Sequence, residues 1–283
     1  MPPRDISRTD KGLLCSIDGD ADRIVFHLFN DAGKWQLIDG DKIATLITIF
    51  LFDELNQSGL SADFSLGVVQ TAYANGASSL FMREKGVPLV MAKTGVKYLH
   101  QKAHEYDIGI YFEANGHGTV LFSHRFIEAS KGWSRPKNNQ LESFRQDLAK
   151  YRLKLTIDTI NQAVGDALSD MLICLAILEL RRINYNDWNA FYSDFPSKQC
   201  KIPVSPVFKA QLKCTDDETR ITTPTVLQDA LDSIMADTAE SKGRCFVRPS
   251  GTEDVVRVYA EASTQEVADQ VAERCKIAIT SLL

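Results

Sequence analysis

The sequence lacks a long hydrophobic run. No stretch of the 283 residues approaches the roughly 18 consecutive apolar residues that a transmembrane helix needs. Residues 1–12 are polar and contain no apolar segment of signal-peptide length. These absences exclude the membrane-spanning and signal-peptide patterns from the sequence. We therefore expect a cytoplasmic protein with no membrane partner.

Paired cysteines are also lacking. The six cysteines are widely spaced, form no Cys-x-x-Cys motif and have no neighbouring histidine pair. This spacing excludes the usual zinc motifs and a compact disulfide framework. We expect reduced and mostly buried thiols at positions 15, 174, 200, 214, 245 and 275.

The chain has no excess of basic residues. It carries 32 Lys and Arg against 37 Asp and Glu, a formal net charge of -5, and the basic residues are scattered. This pattern argues against a nucleic-acid partner, which would need a basic stripe. The hydrophobic content of 44% is that of an ordinary globular protein, and the length allows two or three domains. The oligomeric state cannot be read from the sequence.

The most informative segment is acidic. Asp18, Asp20 and Asp22 alternate between two apolar runs that have strand composition. Gly19 is expected to let the backbone turn tightly, so that the three carboxylates converge on one ion. All-oxygen ligation suits Mg²⁺, and Arg23 would add a positive group for a phosphate. The pattern therefore indicates phosphoryl chemistry.

Two motifs that resemble this segment do not fit, and a third interpretation stays open. An EF-hand loop starting at Asp18 needs Gly at its sixth position and Glu at its twelfth, where Arg23 and Phe29 stand. A haloacid dehalogenase phosphatase needs Gly-Thr after Asp-x-Asp, and Ala21-Asp22 follows here. The plain alternative is a solvated acidic turn. A similar acidic pair further along, Asp39 and Asp41, lacks a third acid, and we expect Asp41 to cap the following helix.

Strands and helices alternate through the first half of the chain. A hairpin is predicted at residues 30–33, and strands are predicted at residues 66–70, 89–92 and 108–112 with helices between them. This order predicts a parallel sheet with helices on both faces. Ligands collect at the carboxyl ends of such strands. We therefore expect one binding face formed by three loops, at residues 71–76, 93–97 and 113–118.

The last of these loops has sugar-binding chemistry. Glu113, Asn115 and His117 offer an acceptor, a bifunctional amide and an imidazole next to two glycines. This set suits neighbouring sugar hydroxyls. The alternative is a strand-to-helix turn with an incidental histidine.

A second candidate loop lies between the two strands predicted at residues 244–248 and 255–262. Ser250, Gly251 and Thr252 offer hydroxyls and a flexible backbone, and Arg248 and Arg257 flank them. Charge-assisted hydrogen bonds from these groups would hold a phosphate dianion. A simple hairpin turn is the alternative.

Two histidines lie four residues apart on a predicted helix. His100 and His104 would share one helix face, as a pair of metal ligands does. Without a third ligand nearby, the sequence favours a surface or helix-packing role for them.

Taken together and in this order, the acidic loop, the Glu113 loop and the arginine-flanked loop resemble the α-D-phosphohexomutases. Residues 16–25, 67–76, 112–119 and 246–257 are most similar to the phosphoacetylglucosamine mutase branch. Asn115 favours this branch, because other branches usually carry Ser there. The resemblance implies an isomerase that interconverts the 6- and 1-phosphates of N-acetylglucosamine on the way to UDP-N-acetylglucosamine. A phosphoserine and a bisphosphate intermediate carry the phosphoryl group in that family.

The resemblance also implies roles for individual residues. Mg²⁺ would be held by Asp18, Asp20 and Asp22, with Arg23 and His117 as catalytic residues. The sugar would bind Glu113 and Asn115. The non-reacting phosphate would bind a set from the second loop, namely Arg248, Ser250, Gly251, Thr252 and Arg257. The resemblance thus implies a phosphorylated N-acetylhexosamine as the ligand.

One part of the family pattern is not found. Family members carry a Thr-Ala-Ser-His-Asn-Pro type loop with the phosphoserine, and no such segment occurs in these 283 residues. We expect a shortened phosphohexomutase architecture of mixed α/β domains with helices on both sheet faces and a C-terminal α+β domain. Its parts would be a remnant of domain 2 (1–56), a sugar-binding domain (57–183), and a linker with a phosphate-binding domain (184–283).

The missing loop leaves three functional interpretations. The chain is an inactive part of a phosphoacetylglucosamine mutase, a non-catalytic phosphosugar-binding or regulatory fragment, or another phosphohexomutase. Asn115 and residues 70–76 argue against the last of these.

Overall fold

A computed structural model describes residues 12–137 and 141–283, which form two compact units. The first unit contains the chain up to Gln70, Ser78–Val90 and Gly95–Ser193. The second contains Thr71–Ala77, Met91–Thr94 and Asp194–Leu283. The prediction for the polar N-terminus falls almost wholly outside the described residues. The polar residues 124–140 predict an irregular surface loop. Residues 138–140 lie outside the described ranges, and His124–Ser130 form a helix, so the prediction was wrong there. All six cysteines lie within the described ranges and are free thiols.

The elements before Asp194 comprise seven strands and seven helices within the described residues. The strands are β1 (Leu14–Ile17), β2 (Ile24–Phe29), β3 (Trp35–Ile38), β4 (Leu66–Thr71), β5 (Leu89–Ala92), β6 (Ile108–Phe112) and β7 (Gly118–Phe122). The helices are α1 (Gly40–Gln57), α2 (Gly76–Glu84), α3 (Val96–Ala103), α4 (His124–Ser130), α5 (Leu141–Thr159), α6 (Ala167–Arg181) and α7 (Tyr185–Asn189).

The first three strands form a small antiparallel sheet in the order β1-β2-β3. The hairpin predicted at residues 30–33 is confirmed: Gly33 donates its N–H to the Asn30 carbonyl at 2.7 Å and has a φ of 69°. The β1–β2 pair is itself a hairpin, and its connection is the acidic segment. The sheet therefore holds the acidic residues between two paired strands.

A four-stranded sheet follows in the order β5-β4-β6-β7. Strands β4 and β6 are parallel, as predicted, but β7 is antiparallel to β6. The prediction of a wholly parallel sheet was wrong because residues 118–122 form a strand that the sequence pattern did not single out. The Glu113 loop is thus the connection of a β-hairpin and not a strand-to-helix turn.

Helix α1 begins after Asp39, whose Oδ1 accepts hydrogen bonds from the backbone N–H groups of Asp41 and Lys42. The prediction that Asp41 caps this helix was wrong: Asp41 is buried in the first turn. An apolar core links α1 to both sheets and includes Ile24, Phe112 and Trp188. The sites of this unit are therefore supported by one continuous core.

The sequence predicts helices at about residues 141–151 and 154–182. The second is expected to be buried because residues 167–180 are largely apolar, and Gly165 and Asp166 inside it suggest a break or a close approach. The observed helices α5 and α6 differ from this prediction in two ways. The break expected at Gly165 and Asp166 is present, with Asp166 capping α6, but the preceding helix runs unbroken to Thr159. Helix α6 is buried along one face only. Leu168 and Leu172 are both 54% exposed, so the expectation of a fully buried apolar helix was wrong.

The second unit is built on an antiparallel sheet in which β12 (Val255–Glu261) lies between β11 (Arg244–Pro249) and β8 (Ser197–Pro203). Two helices, α9 (Thr225–Asp237) and α10 (Gln265–Thr280), share an apolar core with this sheet, in which Val247, Val258 and Leu231 are buried. The strands are β8 (Ser197–Pro203), β9 (Lys213–Cys214), β10 (Ile221–Thr223), β11 (Arg244–Pro249) and β12 (Val255–Glu261). The helices are α8 (Pro206–Gln211), α9 (Thr225–Asp237) and α10 (Gln265–Thr280), with a 3₁₀ turn at Ala239–Ser241.

The mixed α/β architecture predicted from the sequence is confirmed. The three domain boundaries remain predictions. Over the described ranges, none of the helices has both the length and the apolar character needed to cross a bilayer.

Candidate functional site

The acidic loop is closed by hydrogen bonds from its own backbone. Asp18 Oδ1 accepts from the N–H groups of Asp22 and Arg23, each at 3.2 Å. Ala21 takes the left-handed conformation with a φ of 59°, whereas Gly19 does not. Gly19 lies inside this tight turn, as expected, which the Ala21 N–H closes by donating to the Asp18 carbonyl at 3.3 Å, but the left-handed residue is Ala21. The strained position is one where a non-glycine residue costs about 1 kcal/mol or more.

The three aspartates converge as predicted. One ligand oxygen from each of Asp18, Asp20 and Asp22 lies within 4.8 Å of the others. Asp22 Oδ1 is buried and accepts no hydrogen bond from the described residues. Burial alone would raise the pKa of Asp18, but hydrogen bonds from Arg23 and Asp22 hold it below its usual value. Three convergent carboxylates with an unsatisfied buried oxygen fit a hard divalent cation such as Mg²⁺.

Arg23 extends beside these carboxylates. Its Nε lies 3.7 Å from Asp18 Oδ2 and 3.8 Å from Asp22 Oδ1. The side chain is 47% exposed, so a ligand in solvent can reach the guanidinium. The loop thus offers negative oxygens for a cation and a positive fork for an anion.

The Glu113 loop is a tight hairpin connection between β6 and β7. The backbone N–H of Glu113 donates to the His117 carbonyl at 2.9 Å, and Asn115 Oδ1 accepts from the N–H of His117 at 3.0 Å. Gly116 has a φ of 88°. The side chains of Glu113 and Asn115 lie together, with Asn115 Nδ2 3.5 Å from Glu113 Oε2. An acceptor and an amide are therefore presented side by side.

The two loops are joined by backbone contacts. Arg23 and His117 form an isolated antiparallel bridge, and Ile24 donates its N–H to the Gly116 carbonyl at 3.2 Å. His117 Nδ1 lies 3.5 Å from Asp22 Oδ2. The first unit therefore brings seven predicted residues to one place: Asp18, Asp20, Asp22, Arg23, Glu113, Asn115 and His117.

Two glycines that the sequence reasoning did not assign to the site allow this close approach. A Cβ on Gly40 would lie 1.8 Å from the Glu113 carbonyl oxygen, and one on Gly165 would lie 2.7 Å from the His117 ring. Just beyond Gly165, Ala167 donates its N–H to the Ala21 carbonyl at 2.9 Å. For Gly40, the sequence offered one indication of a role near the site, which is its position directly after Asp39. Gly165 was noted only as a helix break.

The arginine-flanked loop lies in the second unit, where it turns from β11 into β12. Ser250 is buried, and its Oγ lies 3.4 Å from the N–H of Thr252 and 3.3 Å from that of Glu253. Gly251 is not left-handed, and a Cβ there would meet nothing within 4 Å. The fold does not require glycine at this position. The open space leaves the backbone accessible to a ligand.

Both flanking arginines already hold carboxylates. Arg248 contacts Glu218 at 2.7 Å and the Tyr73 hydroxyl at 3.2 Å. Arg257 contacts Glu253 at 2.6 Å, and its Nε is buried with no acceptor in the described parts of the chain. The sequence predicted both arginines but neither carboxylate partner. Glu218 is thirty residues from Arg248 along the chain, whereas Glu253 is only four residues from Arg257 and local spacing could have indicated it.

A third cation, which the sequence reasoning missed, lies in the same row. Arg248 and Arg257 are cross-strand partners, and Arg257 is also opposite Lys201 on β8. Lys201 Nζ lies 2.9 Å from Glu253 Oε1. Directly opposed residues project from the same face of a sheet. Three positive side chains therefore line one face beside the Ser250–Asp254 turn.

Comparisons with known proteins agree with this geometry. The family model for phosphoacetylglucosamine mutase AMG1, domain III, matches residues 39–183, which is more than half of the chain. The chain belongs to the phosphoacetylglucosamine mutase family. A second family model, the C-terminal domain of phosphoglucomutase/phosphomannomutase, matches residues 211–277.

Individual relatives are similar over nearly the whole chain. Human phosphoacetylglucosamine mutase is 47% identical over 99% of this chain and 50% of its own length. The Saccharomyces cerevisiae enzyme is 44% identical over 93% of this chain and 47% of its own. A solved structure of Aspergillus fumigatus N-acetylphosphoglucosamine mutase in complex with GlcNAc-6P and magnesium is 39% identical, with a TM-score of 0.86 over 98% of this chain and 53% of that one. The chain spans about half the length of the curated relatives it matches.

Proposed function

We propose that this chain forms the metal-, sugar- and phosphate-binding part of a phosphoacetylglucosamine mutase. The reaction is the interconversion of N-acetylglucosamine 6-phosphate and N-acetylglucosamine 1-phosphate, an isomerisation that leads to UDP-N-acetylglucosamine. The observation that carries the proposal is the joining of the acidic loop to the Glu113 loop by the Arg23–His117 bridge. This contact supports a site where metal and sugar are held side by side.

The acidic loop suits the reacting phosphate. Asp18, Asp20 and Asp22 would hold Mg²⁺, which neutralises charge on a phosphoryl group when bound. Arg23, beside the carboxylates and half exposed, would bind the transferring phosphoryl oxygens. His117 contacts Asp22 and would keep that carboxylate oriented. These roles fit a reaction that depends on positioning and charge neutralisation.

The sugar would be gripped by Glu113 and Asn115. A carboxylate accepts hydrogen bonds from two neighbouring hydroxyls, and an amide both donates and accepts. Such a pair can bind the ring in either orientation, as an exchange between the 6- and 1-positions requires. The hydrogen bond from the His117 N–H holds the amide of Asn115 in place, which favours a fixed grip.

The non-reacting phosphate would bind at the turn in the second unit. The predicted donors are Arg248, Arg257, the hydroxyls of Ser250 and Thr252, and the backbone at Gly251. The buried Nε of Arg257, which has no acceptor within the described ranges, supports an oxyanion ligand here. Arginine presents its donors in a fork that matches phosphate geometry.

The 283-residue polypeptide is expected to bind substrate without turnover when assayed by itself. The reason is that its sequence contains no match to the serine loop that carries the phosphoryl group in this family. A non-catalytic phosphosugar-binding role is the second candidate, and the same observation favours it.

The test follows the phosphorus NMR spectrum of N-acetylglucosamine 6-phosphate with Mg²⁺, a trace of hexose bisphosphate and the chain. We expect line broadening of the substrate without a 1-phosphate signal. In a competition experiment, glucose 6-phosphate should displace the bound substrate less effectively than an N-acetylated hexose phosphate does. Asp20→Asn should weaken Mg²⁺-dependent broadening, whereas Asp31→Asn in the exposed β2–β3 turn should not. A silent spectrum with a folded chain contradicts the proposed site. A growing 1-phosphate signal contradicts the expected inactivity.

A further inference from the structure

A pair of histidines outside the proposed site faces nitrogen to nitrogen. His100 lies in α3, and His104 caps its C-terminal end. Their Nε2 atoms are 3.1 Å apart, and the two rings meet edge to face with centroids 4.8 Å apart. Among the described residues, these nitrogens make no contact with the acidic loop. The sequence favours a surface or helix-packing role for the pair, and the structure adds that the two Nε2 atoms face each other at hydrogen-bond distance.

The other nitrogen of His100 is held by a buried tyrosine. His100 Nδ1 lies 2.9 Å from the hydroxyl of Tyr111, which is fully buried in β6. Burial keeps the pKa of Tyr111 well above its usual range, so the hydroxyl stays protonated. A hydrogen bond from Nδ1–H to this oxygen would leave the lone pair of His100 Nε2 directed toward His104 Nε2. Metal-binding histidines are commonly oriented in this way by a partner on their second nitrogen.

The surroundings favour a neutral imidazole and a bound cation. Burial, with a smaller contribution from His104, lowers the pKa of His100, and the neutral ring is the form that binds metals. The pair also lies at the C-terminal end of α3, where the helix dipole favours positive charge. The nearest lysine on the helix, Lys102, is paired with Glu105 at 2.8 Å.

We propose that His100 and His104 are the protein ligands of a transition-metal site, suited to Zn²⁺, Ni²⁺ or Cu²⁺, with water completing the coordination. At a metal–nitrogen distance of about 2.05 Å, nitrogens 3.1 Å apart subtend an angle of about 100° at the metal. This angle lies between the values for adjacent octahedral and tetrahedral ligands. Imidazole suits these ions and not Mg²⁺. The site is separate from the aspartate cluster and does not depend on the proposed mutase activity.

The first test is a calorimetric titration of the untagged full chain with Zn²⁺ and with Ni²⁺ in excess Mg²⁺. His104 is exposed, so His104→Ala should leave the fold intact. We expect it to abolish one binding event, and Tyr111→Phe to weaken that event by about 10-fold. The matched control is His124→Ala, because His124 is an exposed histidine with a glutamate four residues on. The His124→Ala variant should bind Zn²⁺ and Ni²⁺ as the unmodified chain does.

The second test identifies the ligands directly and separates them from the aspartate cluster. Nitrogen-15 NMR of the imidazole rings should show Zn²⁺-dependent shifts of the His100 and His104 Nε2 atoms. Shifts confined to His117 would show that the metal binds only at the acidic loop, and this would overturn the proposal. The proposal would also be overturned if the unmodified chain and His104→Ala bound Zn²⁺ and Ni²⁺ with equal stoichiometry and affinity.

Discussion

The two candidate binding regions are built by different means. The acidic loop and the Glu113 loop are fixed by backbone hydrogen bonds and by glycines at close approach, including Gly116 with its φ of 88°. The turn after β11 is held by side-chain ion pairs, in which Glu218 and Glu253 occupy the arginines. The first region is therefore preformed by the fold. To bind a phosphate as proposed, the second would have to exchange its own carboxylates for that ligand.

The difference indicates where each region is sensitive to mutation. A preformed site fails when the backbone can no longer take its conformation, so its weak points are glycines and buried contacts. A site held by ion pairs tolerates backbone changes but responds to each charge. We arrange the following predictions from the largest expected effect to the smallest.

The strongest test replaces glycine by alanine in each region. In Gly116→Ala, the new Cβ would lie 1.9 Å from the Ile24 carbonyl oxygen at a left-handed position. We expect a loss of at least about 3 kcal/mol in the free energy of unfolding. Gly251→Ala meets open space and should change stability by less than about 0.5 kcal/mol, while weakening phosphate binding. Urea denaturation measures the stability of both variants, and a phosphate titration measures the affinity of Gly251→Ala. Equal losses of stability in the two variants would contradict the difference between the two regions.

The second prediction concerns the metal ligands. Asp20 is exposed, so Asp20→Asn should leave the fold unchanged while removing one charged ligand. We expect the affinity for Mg²⁺ to fall by about 100-fold or more. Calorimetric titration with Mg²⁺ measures the loss, and Asp31→Asn serves as the control. An unchanged affinity would mean that the metal does not bind at this loop.

The third prediction concerns a buried carboxylate, Asp107 in the first unit, which pairs with the exposed Arg125. Burial alone would raise the pKa of Asp107, but Arg125 and hydrogen bonds from Ser123 and Ser65 hold it at about 2. Because this value lies below the usual 3.8, the stabilisation is full at neutral pH and is lost as the pH falls from about 4 to about 2. We expect Asp107→Asn to cost about 2 kcal/mol at pH 7.

Unfolding experiments at a series of pH values test this expectation. The difference between the unmodified chain and Asp107→Asn should shrink steadily below about pH 4. Asp158→Asn is the control, because Asp158 forms only a surface pair with Lys154. A difference that does not vary with pH would show that the carboxylate charge is not the source of the stability.

The smallest expected effect tests the exchange of carboxylates in the second unit. Lys201 and, more weakly, Arg257 hold the pKa of Glu253 below its usual value, so the residue is charged and competes with phosphate. We expect Glu253→Gln to raise the affinity for inorganic phosphate about 2–5-fold, the range of exposed ion pairs. Glu266→Gln, in the exposed first turn of α10, should have no effect. A weaker affinity in Glu253→Gln would mean that Glu253 organises the arginines.

The sequence predicted the chemistry of these regions better than their geometry. Alternating aspartates and a loop flanked by arginines are local patterns, and the structure places each set together. The left-handed residue is Ala21 and not Gly19, because hydrogen bonds to Asp18 override the local preference for glycine. Strand β7 was missed because its five residues follow the loop without a break.

Contacts between distant residues could not be predicted from local pattern. Lys201 joins the arginine row through strand pairing, and Glu218 reaches Arg248 from another loop. The spacing of His100 and His104 showed that they could meet, but only the structure shows their nitrogens 3.1 Å apart. Tertiary packing determines such pairs, and a single sequence contains no record of it.

The bridge between Arg23 and His117 has a consequence for how ligands bind. One backbone pairing ties the turn that carries the aspartates to the turn that carries Glu113, so neither can shift alone. In the proposed function, a cation on the first turn would restrict the small motions that this preformed region retains, so that a sugar on the second turn would bind with less loss of entropy. The two affinities would then be linked by the same factor in both directions, and the pair of turns would act as a small cooperative unit.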